Sequence, residues 1–239
     1  MIRLGITGTD TGVGKTIVSC ALARAMVRRG FDVAAMKPIE TGVAFDDPSR
    51  DGVRLATAAR HEHLLKTTAP LVLRDPLAPL VAARRTGVDL DLRALDRAVE
   101  SASEGRDALI VEGAGGLLVP VTESETYATL FQRWSLDAVI VAANKLGVIN
   151  HTRLTVASCR SLGLRVRAIV LNRVQRDAPG DASVNDNAAI IAELERISVV
   201  ELPWMNDPYD VDRAASAAED GGLLDLLVPT ATGVTTTTV

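Results

Sequence analysis

Gly8-Thr9-Asp10-Thr11-Gly12-Val13-Gly14-Lys15-Thr16 is the stretch whose reading decides the fold of this chain. It follows the apolar run Ile2-Arg3-Leu4-Gly5-Ile6-Thr7, which predicts a buried strand. It precedes Ile17-Val18-Ser19-Cys20-Ala21-Leu22-Ala23-Arg24-Ala25-Met26-Val27, which predicts a helix. A strand, a glycine-rich loop, Gly-Lys-Thr and a helix form the layout of a phosphate-binding P-loop. Backbone N–H groups of such a loop close around a phosphate, and the helix N-terminus adds partial positive charge at the same point. Lys15 then reaches the outer phosphates, and Thr16 places its hydroxyl on Mg²⁺. The usual spacing puts the first glycine at position 9, which is Thr9; Gly8 makes the loop one residue longer than the standard pattern. An ordinary strand–turn–helix of small residues does not require Gly-Lys-Thr at its junction.

Working outward, 239 residues suffice for a substantial core, and 47% hydrophobic against 23% charged residues is the balance of a globular protein. Aromatics are only 3%, so the core must be built from Ala, Val, Leu and Ile. Lys and Arg number 26 against 30 Asp and Glu, a net charge of −4, so no nucleic-acid footprint is expected. Arg28-Arg29 and Arg84-Arg85 are expected at solvated helix ends and loops. Cys20 and Cys159 stand alone inside predicted helices and read as small core residues in a reducing compartment. The chain starts on a strand without a signal-peptide pattern, and no apolar run reaches the ~18 residues of a membrane span. A cytoplasmic protein without membrane partners is expected.

Strand and helix patterns alternate along the chain. Strands are predicted over 2–7, 32–37, 107–112, 137–143, 166–172 and 198–202, and helices over 15–29, 51–60, 90–103, 126–134, 150–162 and 185–196. The strands are continuously apolar, so both faces should be covered. The expected fold is α/β: a doubly wound, mostly parallel sheet flanked by helices, P-loop NTPase-like, in one domain over 1–228. Thr-rich 229–239 is expected to be a frayed tail, and 177–186 a mobile loop. Ligands bind beyond the C-terminal strand ends of such sheets, so polar residues should cluster there.

They do. The second strand ends in Lys37-Pro38-Ile39-Glu40-Thr41-Gly42 and is expected to neighbour the P-loop strand; its lysine suits charge on a transferring phosphoryl group. Leu109-Ile110-Val111 is closed by Glu112, a way of presenting a Mg²⁺-holding carboxylate. Gly113, Gly115 and Gly116 around Ala114 allow close approach of a ligand. Among Asp46, Asp47 and Asp51, Asp51 is favoured as a second Mg²⁺ ligand because it stands near a helix start. Asn150 reads equally as a helix N-cap alone or as part of a carboxylate-binding N-terminus. His61 and His63 read as surface residues.

With these residues placed, 2–204 resembles the dethiobiotin synthetases, which use ATP and CO₂ to close the ureido ring of biotin's precursor. The resemblance is carried by the P-loop with its extra residue, Lys37-Pro38, Val111-Glu112-Gly113-Ala114-Gly115-Gly116, Lys145-Leu146-Gly147-Val148-Ile149-Asn150-His151 and Pro203-Trp204. It implies ATP as co-substrate and Mg²⁺ on Thr16, Asp51 and Glu112. It implies nucleotide contacts from Gly12, Val13, Gly14, Lys15, Thr16, Ile17, Asp51, Glu112, Gly113, Ala114, Gly115, Asn172, Arg173, Pro203, Trp204 and Met205. Asn172 resembles the family's adenine-recognising residue, while Arg173 departs from the acid expected beside it. Lys37 and Lys15 are implied as catalytic. Thr11, Lys37, Thr41, Gly147 and Asn150 are implied to bind the diamine substrate, 7,8-diaminononanoate, at the interface of a homodimer. Two rival classes fit less well. Partition-type P-loop ATPases usually carry an early lysine in the loop, where this chain has Thr9, Asp10 and Thr11, and glutamine-dependent amide ligases append a further domain for which this chain is too short.

Overall fold

The computed structural model describes residues 1–62, 69–176 and 184–228. In chain order the elements are β1 (Ile2–Gly8), α1 (Lys15–Arg28), β2 (Val33–Met36), β3 (Ile39–Thr41), α2 (Asp51–Ala58) and β4 (Leu71–Leu73). There follow α3 (Pro79–Thr86), α4 (Leu92–Ser103), β5 (Ala108–Gly116), α5 (Tyr127–Arg133), β6 (Asp137–Ala143) and α6 (Val148–Ser161). The chain continues through β7 (Val166–Asn172), α7 (Asn187–Glu195), β8 (Val199–Leu202), α8 (Val211–Asp220) and α9 (Leu223–Leu227).

Six strands form one sheet in the order β2-β5-β1-β6-β7-β8, and every pairing in it is parallel. Parallel strands need crossovers, and the helices that supply them cover both faces. The side chains divide accordingly. Along β6, Val139, Val141 and Ala143 enter one core with α1, α8 and α9, whereas Ala138, Ile140 and Ala142 enter the other with α4, α5 and α6. The first core is alanine-rich: Ala21, Ala23 and Ala25 of α1 join Ala214, Ala215 and Ala218 of α8, and small residues let these helices approach closely. The second holds Tyr127, Phe131 and Trp134. The buried aromatics thus share one face, and Phe31 packs part-buried against the other. Cys20 and Cys159 are buried free thiols, one in each core.

Several expectations are corrected. β2 pairs with β5 and not with β1, so the Lys37 strand neighbours the Glu112 strand instead of the P-loop strand. β5 does not stop at Glu112: it continues through Gly116, which pairs with Gly8 across a register shift. The α6 helix starts at Val148 with Gly147 as N-cap, so Asn150 lies inside the first turn and is not the cap. β3 and β4 form a separate two-stranded parallel sheet that the sequence did not signal, because three residues carry no period. The α3, α8 and α9 helices were also unforeseen. His61 is not a plain surface residue: its ring lies 2.8 Å from Asp32 Oδ1, and its side chain is only 18% exposed. His63, part of the 177–186 loop and the 229–239 tail lie outside the described residues.

Candidate active site

All six parallel strands point their C-terminal ends to one edge, and the site is assembled there. The P-loop leaves β1 and enters α1 through Gly14, whose φ of +91° is left-handed backbone that favours glycine. A Cβ at Gly14 would stand 2.0 Å from the Asn172 side-chain nitrogen, so a larger residue would displace Asn172 as well as strain the loop. Asn172, buried at the end of β7, donates from Nδ2 to the Val13 carbonyl at 3.1 Å. The loop is therefore braced from the β7 side. Lys15 is buried, and its Nζ donates back to the Asp10 carbonyl at 3.1 Å, across the hollow of the loop.

The charged centre stands next to it. Lys37 follows β2 and Glu112 lies in the adjacent strand, so the parallel pairing brings them together. Lys37 Nζ donates to Glu112 Oε1 at 2.9 Å and also to Asp51 Oδ2 in the first turn of α2. Thr16 Oγ1 donates to the same Glu112 Oε1 at 2.9 Å. Glu112 is fully buried, and its second oxygen, Oε2, has no hydrogen-bond partner among the described residues. Burial opposes the charge on Lys37, but Glu112 and Asp51 outweigh it and hold the ammonium well above its ordinary pKa. Burial dominates at Lys15 and moves its pKa downward, with Glu112 pulling the other way and Lys37 adding to the fall. Of the three aspartates singled out before α2, Asp51 reaches this centre, whereas Asp47 accepts from the N–H and hydroxyl of Ser49.

Two hollows flank the loop. One, of about 470 Å³, is lined by Gly8 to Thr11, Gly116 to Pro120, and Leu154, Thr155 and Ser158 of α6. Thr11 opens onto it, and Gly115 approaches Thr11 from β5. The other, of about 180 Å³, lies between α1, α2 and α8 and includes Thr16, Ile17, Arg54 and Tyr209. Thr41, Gly147 and Asn150 line neither hollow. Thr41 closes β3, and Asn150 is exposed on α6. On the β8 side, Trp204 is covered by the Arg176 guanidinium at 4.5 Å, Met205 is buried and Pro203 is exposed. Arg173 turns its guanidinium toward Glu201, at 4.0 Å. Sequence reading missed Glu40 and Arg50, a buried ion pair at 3.2 Å beside Asp51. Their only signal was position, three residues after Lys37 and one before Asp51.

A parallel sheet with a P-loop at its C-terminal edge defines a P-loop nucleotide-triphosphate fold, here with a lysine held between two acids beside the loop. Residues 3–208 match the family described as an AAA domain. The protein named ATP-dependent dethiobiotin synthetase from Anaeromyxobacter dehalogenans (strain 2CP-C) is 43% identical over 208 residues, covering 87% of this chain and 92% of the relative. Its namesake from Aquifex aeolicus is 38% identical over 213 residues, covering 88% and 94%. The chain belongs to this AAA-domain family and, within it, to the ATP-dependent dethiobiotin synthetases, ligases of biotin biosynthesis. A nucleotide-binding protein from Archaeoglobus fulgidus, solved in complex with ADP, shares the fold at TM-score 0.51 and 15% identity, covering 96% of this chain and 93% of that one.

Proposed function

We propose that this protein carboxylates 7,8-diaminononanoate and closes its ring to dethiobiotin at the expense of ATP, in three steps. One amine captures CO₂ as a carbamate. The carbamate oxygen attacks the γ-phosphate, giving a carbamic–phosphoric anhydride and ADP. The second amine then attacks the anhydride carbonyl, closes the ring and expels phosphate. No covalent nucleophile from the protein is required. The protein must hold two mutually repelling anions in line, carbamate and triphosphate.

The observation that carries this reading is the Lys37 ammonium, buried between Glu112 and Asp51 and next to the P-loop lysine. Lys37 and Lys15 are the catalytic cations in this reading. The P-loop from Gly12 to Ile17 cradles the phosphates, with Thr11 facing the diamine across the larger hollow. Mg²⁺ would be held by Thr16, Asp51 and Glu112. These are hard oxygen donors of the kind this ion takes, and the unpartnered Glu112 Oε2 supports the fit. Such an ion would draw its other ligands from phosphate and water. The bound ion would supply charge neutralisation between the phosphates. Asn172, Arg173, Pro203, Trp204 and Met205 border the base, with Gly113, Ala114 and Gly115 along the phosphates.

Thr41, Gly147 and Asn150 complete the substrate site in a homodimer. Exposed Leu118, Leu146 and Leu154, at 55%, 84% and 60%, support an interface on that side of the molecule. No described helix is long and apolar enough to cross a membrane. A cytoplasmic location belongs to this reading through the biosynthetic activity named for its relatives. The deciding measurement is incorporation of labelled bicarbonate with ATP, Mg²⁺ and diaminononanoate. Diamine-dependent labelled product is expected; ATP hydrolysis indifferent to the diamine would overturn the assignment in favour of a nucleotide switch.

A further inference from the structure

The α2 helix carries Asp51 on its first turn, and its start is unusual. Its N-cap residue is Arg50, which supplies no side-chain cap. The first N–H groups of a helix need acceptors, and a buried helix start without them is destabilised. Here the acceptor comes from another element. Glu40, held in the β3–β4 ladder opposite Val72, extends its Oε1 to the Gly52 N–H. A carboxylate in that position also meets the positive end of the helix. The same oxygen accepts from Arg50 Nη1 at 3.2 Å, and the Arg50 guanidinium lies 5.1 Å from the centre of the Phe45 ring. A Cβ at residue 52 would stand 2.3 Å from Glu40 Oε1 and 2.5 Å from the Ala69 Cβ, so the approach requires glycine.

Stability alone is a weak reason for this arrangement. Both side chains are almost wholly buried, at 3% and 1% exposure, and Glu40 Oε2 and Arg50 Nε have no hydrogen-bond partner among the described residues. A buried pair left part-satisfied is commonly no better for stability than an apolar pair of the same size. What the pair does achieve is registration. Lys37 and Glu40 are three residues apart on one strap, and Asp51 and Gly52 are adjacent on the helix. The Lys37–Asp51 contact and the Glu40–Gly52 contact are two rungs between the same two segments.

We propose that Glu40, with Arg50, is a positioning residue: by capping α2 from the strap, it sets the Asp51 carboxylate against Lys37 and Glu112 and thereby tunes Mg²⁺ use. This rests on the assignment of Asp51 to the cation in the proposed reaction. The test compares wild type, Glu40→Ala, Glu40→Gln and Asp51→Ala by two readouts. The first is amide exchange at Gly52 in the protein without nucleotide. The second is the Mg²⁺ concentration giving half-maximal turnover. Glu40→Ala should expose the Gly52 amide and raise half-saturating Mg²⁺ about tenfold, the scale of losing an orienting partner of a metal ligand. Glu40→Gln keeps an oxygen acceptor for Gly52 and should recover most of both. In the Asp51→Ala background, Glu40→Ala should add no further shift. Should Glu40→Ala fail to fold, Glu40→Leu takes its place, since it fills the same space without an acceptor for Gly52, and the same two changes are expected. Unchanged Gly52 exchange, or faster exchange with unmoved Mg²⁺ dependence, overturns the proposal. A wild type without diamine-dependent turnover would instead refute the assigned reaction, and Gly52 exchange would still decide whether Glu40 caps α2.

Discussion

Two buried glutamates in this molecule are treated in opposite ways. Glu195, at the end of α7, is fully matched: Arg153 Nε donates to one carboxylate oxygen at 2.8 Å and Arg160 Nη1 to the other at 2.6 Å. Arg160 also takes the Glu195 carbonyl, at 2.7 Å. Both arginines are 54% exposed, so water shares in solvating the group and α6 is tied to α7. Glu112 has no exposure, two donors crowd one oxygen, and the other oxygen has none among the described residues. A charge held in that condition is expensive unless something else completes it. The comparison separates a carboxylate that ties helices together from one arranged to meet a ligand.

The sharpest way to break that distinction is to remove the ammonium that Glu112 faces. Lys37→Ala is expected to lower turnover at least about a hundredfold, ~3 kcal/mol of transition-state stabilisation, while the protein still melts cooperatively. Near-native incorporation of labelled bicarbonate by this variant would refute the role given to Lys37. Glu112→Gln comes next. It keeps the volume and an acceptor for Thr16 but removes the charge, and it should raise the Mg²⁺ requirement by at least about tenfold. Glu195→Gln is the control from the other region. It should cost about 1–3 kcal/mol in stability through its hydrogen bonds to charged groups, measured by denaturant unfolding, with turnover per folded molecule unchanged. Equal effects of the two Glu→Gln changes on Mg²⁺ dependence would erase the contrast.

How far the sequence could lead depended on whether a feature was local. The strands Asp137–Ala143 and Val166–Asn172 are legible to the residue, since an apolar run between turn signals defines a buried strand without reference to anything else. The P-loop is legible for the same reason. The neighbour of β2 is not, because strand order is set by crossovers and no residue of Val33–Met36 encodes it. The consequence was favourable: placing β2 beside β5 is what joins Lys37 to Glu112. Glu112 itself looked like a strand end because glycines follow it, yet glycines can continue a ladder, and Gly116 pairs with Gly8. Glu40 and Arg50 were illegible as a pair because nine intervening residues separate two charges that each look solvated. The α8 helix was missed although its buried face, Ala214, Ala215 and Ala218, is well separated from its charged one, because alanines do not read as a core without the Ala-rich α1 they pack against.

The smallest expected effect tests a third treatment of an acid, exposed but hydrogen-bonded. Asp32 lies just before β2, 45% exposed, with Arg106 Nη1 at 2.8 Å from both carboxylate oxygens and the His61 ring at 2.8 Å. Partial burial opposes its charge, but the hydrogen bonds from Arg106 and His61 outweigh this and hold its pKa below the ordinary 3.8. A carboxyl depressed on folding contributes stability above its unfolded pKa and loses it as pH falls through the folded value. The contribution of Asp32 should therefore be complete at neutral pH and fade below 3.8. Asp32→Asn should melt slightly below wild type at about pH 7, and the two melting temperatures should converge toward about pH 2. Because the group is part-exposed, solvent screening keeps the gap small. A gap that persists unchanged through the acid range would mean that Asp32 acts by shape and neutral hydrogen bonding alone, and that only the buried acids of this protein carry its electrostatic work.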